Sequence, residues 1–121
     1  MTDLINNPST PLKSRKCVPC EAGTPPLGVE EIKNYLSDLN NWEVLENNKI
    51  IKEFKFKDFK EAMEFVNKVA DLAENEGHHP NIGINYNKVE IVLWTHSIGG
   101  LSENDFILAI KLDNLKNENR F

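Results

Sequence analysis

Basic charge, cysteine and histidine are all in short supply in this 121-residue chain, and each shortage removes a class of function. Lysine and arginine number 14 against 19 acidic residues, a net charge of −5. Binding to bare nucleic acid rests on a basic patch, so no direct nucleic-acid contact is expected. Long apolar runs are also missing. Nothing approaches the length of a membrane span, and the N-terminus lacks the apolar stretch of a secretory signal, so the expected location is cytoplasmic. The two cysteines, Cys17 and Cys20, form a lone C-x-x-C. Zinc wants four ligands, and no second cysteine pair is present to complete a site. A thioredoxin-like dithiol belongs between a strand and a helix, whereas this one sits in a leader rich in proline and lysine. The pair reads as two ordinary reduced thiols.

What remains has the profile of one globular domain, with 40% hydrophobic and 27% charged residues. Five of the six prolines (Pro8, Pro11, Pro19, Pro25 and Pro26) fall near the start and interrupt any regular element there. Residues 1–27 therefore read as a partly irregular arm rather than core, and residues 28–121 as a single domain. Val18 and Leu27 are expected to seek cover on that domain.

Within the domain, Ile32, Tyr35, Leu36 and Leu39 share the spacing of one buried helix face, which predicts a helix from about Val29 to Leu39. A short strand follows at Trp42–Leu45, a turn at Glu46–Asn48 and a second strand at Lys49–Phe56. A second helix is predicted from near Asp58 to Glu74, with a stripe of Phe59, Ala62, Met63, Val66, Ala70 and Ala73. Gly77 stops it and Pro80 forbids continuation. Strands at Ile82–Tyr86 and Val89–Thr95 come next. A last helix starts at Ser102, with Phe106, Ile107, Ala109, Ile110 and Leu115 inward and a polar tail from Lys116. The order α-β-β-α-β-β-α predicts the α+β class, a four-stranded antiparallel sheet with three helices on one face.

The scarcity of histidine turns informative once its positions are read. All three histidines, His78, His79 and His96, occupy one short window. The second hairpin turns near residues 86–87, so Ile84 should face Val89 and Ile82 should face Ile91. Continuing that register brings His78 and His79 beside Thr95 and His96, with an uncertainty of a residue or two from turn type and bulges. Singly each has a plain explanation: His96 as a polar residue at a strand end, Gly77-His-His-Pro80 as a helix stop. Their convergence does not, and imidazole is the side chain that titrates nearest neutral pH, so the cluster reads as proton-transfer or metal chemistry. Glu74 falls in the same neighbourhood and could hold an imidazole in one tautomer; its plainer reading is an exposed helix carboxylate. Asp105 sits where an acidic side chain completes a capping box with Ser102. Gly99-Gly100 could let a ligand approach that helix start, but the lysine and spacing of a phosphate loop are absent. Metal binding is the chemical rival. Adjacent residues of an extended segment point to opposite sides, so His78 and His79 would struggle to share one ion, and the H-E-x-x-H spacing is missing.

Glu74, His78-His79-Pro80, Tyr86, His96 and Asp105, together with Tyr86-Asn-Lys-Val89, Thr95-His96 and Gly99-Gly-Leu-Ser102, resemble the signature of the pterin-4a-carbinolamine dehydratases. The leader text Lys16-Cys-Val-Pro-Cys-Glu21 and Pro25-Pro-Leu27 resembles part of that family, and the likeness runs over about residues 15–115. The resemblance implies a four-stranded sheet with three helices, and dehydration of 4a-hydroxytetrahydropterin to quinonoid dihydropterin without metal or cofactor. It implies His78, His79 and His96 as catalytic and Glu74, Pro80, Thr95 and Asp105 as substrate-binding or supporting. It also implies homodimers or homotetramers. Two alternatives come with it: a protein-interaction role of the coactivator type, with a protein partner, and service to another pterin pathway such as molybdenum-cofactor metabolism.

Overall fold

A computed structural model describes residues 10–19 and 23–118, with side chains through residue 116. Cys20 lies outside the described residues. Among them the helices are α1 (Val29–Leu36), α2 (Phe59–Glu76) and α3 (Glu103–Glu118), and the strands β1 (Glu43–Leu45), β2 (Lys49–Lys55), β3 (Asn81–Asn85) and β4 (Lys88–Leu93). The strands form one antiparallel sheet in the order β1-β2-β4-β3, the α+β arrangement predicted.

The register follows from side-chain alternation. Ile50 and Phe54 on β2 lie beside Leu93 and Val89 on β4, and all four are buried against the helices. The opposite face carries Glu53, Lys55, Lys88 and Glu90, all exposed. A slip of one residue would put these charges in the core, so the pairing is strongly specified. Lys52 shares the inner face but escapes desolvation by reaching Asp113 on α3, 2.7 Å away. The same carboxylate accepts the indole N–H of Trp42.

The helices depart from the predicted faces in instructive ways. Asp58 caps α2 by accepting the Glu61 amide at 2.9 Å, and Gly77 ends it in the left-handed region at φ 68°. Its buried stripe is Ala62, Phe65, Val69 and Ala73, while Phe59 and Ala70 are exposed, so the face is rotated from the one predicted. Phe65 sets the rotation because its ring packs between Phe54 and Phe56, with centroids 4.9 and 5.0 Å away. Helix α1 stops at Leu36, three residues before the predicted Leu39. There Asp38 and Leu39 tighten into turns onto Tyr35 and Leu36, and the Ser37 hydroxyl donates to the Asn34 carbonyl. Helix α3 buries Phe106, Ile107, Leu108, Ala109 and Leu112 completely. Leu108 and Leu112 lay off the predicted face; they are buried because α3 is enclosed on more than one side.

The leader is also more integrated than expected. Leu12 is a member of the hydrophobic core, whereas Val18 is 50% exposed. Leu27 donates its amide to the Leu101 carbonyl at 2.9 Å, which brings Pro26 against Gly100. A β-carbon at Gly100 would stand 2.7 Å from that of Pro26, so chain packing alone requires a glycine here.

Glu76, at the end of α2, is a buried carboxylate that ties three elements together. It accepts the Cys17 amide at 2.9 Å and the Lys111 ammonium at 2.7 Å. Burial opposes its charge, but the Lys111 and Cys17 hydrogen bonds, with Lys16 nearby, outweigh that and hold the carboxyl below its ordinary 4.5. A lowered folded value stabilises the fold above the unfolded value and is lost as pH falls through the folded one. Chemical denaturation should therefore show a larger drop between pH 7 and about pH 3.5 in the wild type than in Glu76→Gln. At neutral pH the variant is expected to be weaker by about 1–3 kcal/mol, because Lys111 and the Cys17 amide lose their anion.

Candidate active site

Termination of α2 at Gly77 throws the chain directly into His78-His79, which then lead into β3. Pairing of β3 with β4 has the predicted register, Ile84 opposite Val89 and Ile82 opposite Ile91. Beyond Leu93 the chain continues through Trp94 and Thr95 into a short 3-10 turn, His96–Ile98, closed by Gly99 in the left-handed region at φ 65°. The hairpin thus returns His96 to the end of the sheet where His78 and His79 stand. All three imidazoles line one cleft of about 310 Å³, together with Trp94, Thr95 and Asn104.

His78 is the most constrained of the three. Its Nε2 lies 2.6 Å from Asp105 Oδ1, and its side chain is only 12% exposed. Asp105 is fully buried and gathers further donors: the Thr95 hydroxyl at 2.9 Å and the Ser102 amide at 2.9 Å, both on Oδ2. Since the Thr95 proton is committed to Asp105, the Ser102 hydroxyl must donate to Thr95 across their 2.6 Å contact. A carboxylate only accepts, so the proton on the His78–Asp105 contact sits on Nε2, and Nδ1 is the nitrogen that can exchange one. The capping role expected of Asp105 is present as well, through the Ser102 amide. It is half of what this side chain does.

His79 lies at the rim. Its Nε2 meets Glu74 Oε2 at 2.5 Å, with both side chains largely exposed. Adjacent histidines therefore turn to different carboxylates, one deep and one at the surface. His96 is exposed and stacks on Trp94, with ring centroids 4.1 Å apart and planes 21° apart. Lys49 reaches over the other ring system of this stack, its ammonium 5.0 Å from the Trp94 centroid. Pro80 is half-buried, follows the two histidines and is not among the residues that line the cleft. Among the described residues no three His, Cys, Asp or Glu side chains converge as metal ligands would.

Trp94, Asn104, Val18 and Pro19 also line the cleft and escaped the sequence reading. Trp94 had a usable signal, since it lies two residues before His96 beyond the end of a buried strand. Asn104 had none, because nothing in a helix start reveals that its amide reaches a leader 86 residues away. A larger concavity, about 470 Å³, lies near Lys52, Phe54 and Asp113. It contains no histidine, and its buried acid is already engaged by Trp42 and Lys52. The histidine cleft is the chemically equipped one.

Residues 25–115 match the family model described as pterin 4 alpha carbinolamine dehydratase. A curated protein of Alkaliphilus metalliredigens, provisionally named a pterin-4-alpha-carbinolamine dehydratase, is 49% identical over 108 residues, covering 88% of this chain and 97% of that protein. Among solved structures, the transcriptional coactivator/pterin dehydratase of Brucella melitensis has a TM-score of 0.71 at 35% identity, covering 74% of this chain and 97% of that one. A pterin dehydratase-like protein identified as a RuBisCO assembly factor in the alpha-carboxysome has a TM-score of 0.55 at 27% identity, covering 63% and 89%. Among the described residues no helix is long and apolar enough to cross a membrane.

Proposed function

The chain belongs to the pterin 4 alpha carbinolamine dehydratase family, and from that premise we propose that it dehydrates 4a-hydroxytetrahydropterin by histidine general acid–base catalysis. The observation that carries this reading is the convergence of all three histidines on one cleft, with a buried carboxylate behind the deepest. In the reaction the bond from carbon 4a to its hydroxyl breaks and the oxygen leaves as water. The proton on N5 departs, and the freed electron pair forms the C4a=N5 double bond of the quinonoid product. Hydroxide is a poor leaving group unless protonated, so one imidazolium must give a proton while one neutral imidazole takes another. His78 and His96 share these transfers. His79, hydrogen-bonded to Glu74 at the rim, orients the pterin. Asp105 acts through His78, fixing the tautomer that leaves Nδ1 for exchange. Trp94 supports His96 by stacking, and Thr95 completes the hydrogen bonding of Asp105. No redox cofactor is required, since no electrons are gained or lost overall.

Recycling of tetrahydrobiopterin in the cytoplasm is the metabolic setting that fits this chemistry. Assembly into homodimers or homotetramers belongs to the same reading. It is supported by β3, an edge strand on which Ile82 and Ile84 share the inner face yet Ile84 stays exposed. The test is turnover of freshly generated 4a-hydroxytetrahydropterin, followed by ultraviolet absorbance against the spontaneous reaction. Strong acceleration is expected; no acceleration by folded protein would sink the proposal.

A second reading has one observation in its favour: the solved relatives named above include a coactivator and an assembly factor. Under it the fold serves as a module that binds a protein partner, and capture of that partner without pterin would distinguish it.

A further inference from the structure

One of the cleft's walls comes from the leader, ahead of the residues that the family model matches. Val18 and Pro19 line the cleft, yet the matched residues begin at 25. These two residues are not loosely laid there. The Asn104 side chain reads the Val18 backbone at both ends: its Oδ1 accepts the Val18 amide at 2.9 Å and its Nδ2 donates to the Val18 carbonyl. One residue earlier, the Cys17 amide is held by buried Glu76, and two residues before that Arg15 pairs with Glu103 at 3.3 Å. Asn104 and Glu103 open α3, the helix that also carries Asp105. The leader is thus pinned to the same helix turn that positions His78.

From this geometry we infer that residues 15–19 are a strap that forms one wall of the pterin site. Val18 and Pro19 touch the substrate, and Asn104 is the positioning residue that holds them. This rests on the dehydratase reading and adds a determinant of pterin affinity to it. Val18 is the half-exposed apolar side chain of the strap, on a cleft whose other large surface is the Trp94–His96 stack. A flat heteroaromatic ring entering between them would cover both, gaining affinity in ground and transition state alike. That is uniform binding, which lowers KM and leaves kcat nearly unchanged.

Cys17 supplies an independent readout. Its thiol donates to the Asn104 carbonyl at 3.5 Å, and burial, reinforced by the Glu76 carboxylate, pushes its pKa up to about 12. It should react slowly while the strap is seated and faster once it lifts. In a Cys20→Ser background Cys17 is the single thiol, and its labelling by a disulfide reagent can be followed with and without 7,8-dihydrobiopterin, whose binding is measured separately by calorimetry. Saturating pterin should slow labelling by about fivefold or more, because a ligand packed on the strap holds it down. Without pterin, Asn104→Ala should speed labelling and raise KM about five- to tenfold, with kcat within about twofold. Asn104→Asp, which keeps the acceptor for the Val18 amide and loses the donor, should fall between. Pterin that binds without altering the Cys17 rate, or an Asn104→Ala enzyme that loses kcat at unchanged KM, would overturn the strap alone. Absence of any pterin binding would remove the dehydratase reading and the strap with it.

Discussion

His78→Ala and His96→Ala should each lower the turnover of 4a-hydroxytetrahydropterin by about 10²–10⁴-fold, with folding intact in the second case and slightly weakened in the first. The asymmetry in stability comes from burial. His96 is exposed and its removal uncovers only the face of Trp94. His78 satisfies Asp105, and without it one of the oxygens of a buried carboxylate loses its donor. The two losses in rate should not multiply in the double variant, since acid and base act on one concerted dehydration and removal of either leaves little for the other to do. His79→Ala should be milder, because its Glu74 contact lies in solvent where such pairs contribute little. Near-normal turnover in all three single variants would refute acid–base catalysis by this cluster.

Asp105 offers the second large effect and a way to separate architecture from chemistry. Asp105→Ala should cost about 2–4 kcal/mol in chemical denaturation, because the Ser102 amide, the Thr95 hydroxyl and His78 all lose a buried partner. Asp105→Asn should be far gentler on the fold and almost as severe on turnover. An asparagine oxygen can keep the Ser102 and Thr95 donors, which forces its amide NH₂ toward His78. Imidazole Nε2 must then accept rather than donate, and the proton moves to Nδ1, the position needed for exchange. Turnover is expected to fall about 10²-fold or more while stability stays within about 1–2 kcal/mol of wild type. If the Asn variant instead loses stability and activity in proportion, Asp105 is a capping residue and nothing more.

Much of the site was readable in one dimension because hairpins cancel sequence separation by simple counting. Ile84 opposite Val89 follows from the turn at residues 86–87, and His78, His79 and His96 inherit their proximity from that pairing. Glu74 was legible for a similar local reason, lying near the end of α2 four residues before His78. Asp105 was legible in position and ambiguous in purpose, since a capping acid and a histidine partner have the same sequence signature. The face of α2 was misjudged because period alone cannot say which of several apolar stripes wins. Phe65 wins it through aromatic contacts with Phe54 of β2 and with Phe56 just beyond it, which are invisible before the sheet exists.

By itself, then, the chain's pattern determined the α+β order, the register of the β3–β4 hairpin and the gathering of its histidines. All three depend on local periodicity, turn chemistry and counting from a turn. Tertiary structure alone decided that His78 and not His79 turns to the buried Asp105, that His96 stacks on Trp94, and that Val18 and Pro19 close the cleft. The first and last of those outcomes depend on which side chain reaches which partner across 27 to 86 residues of intervening chain. Only the packed core, by fixing where α3 lies against the sheet, sets such distances.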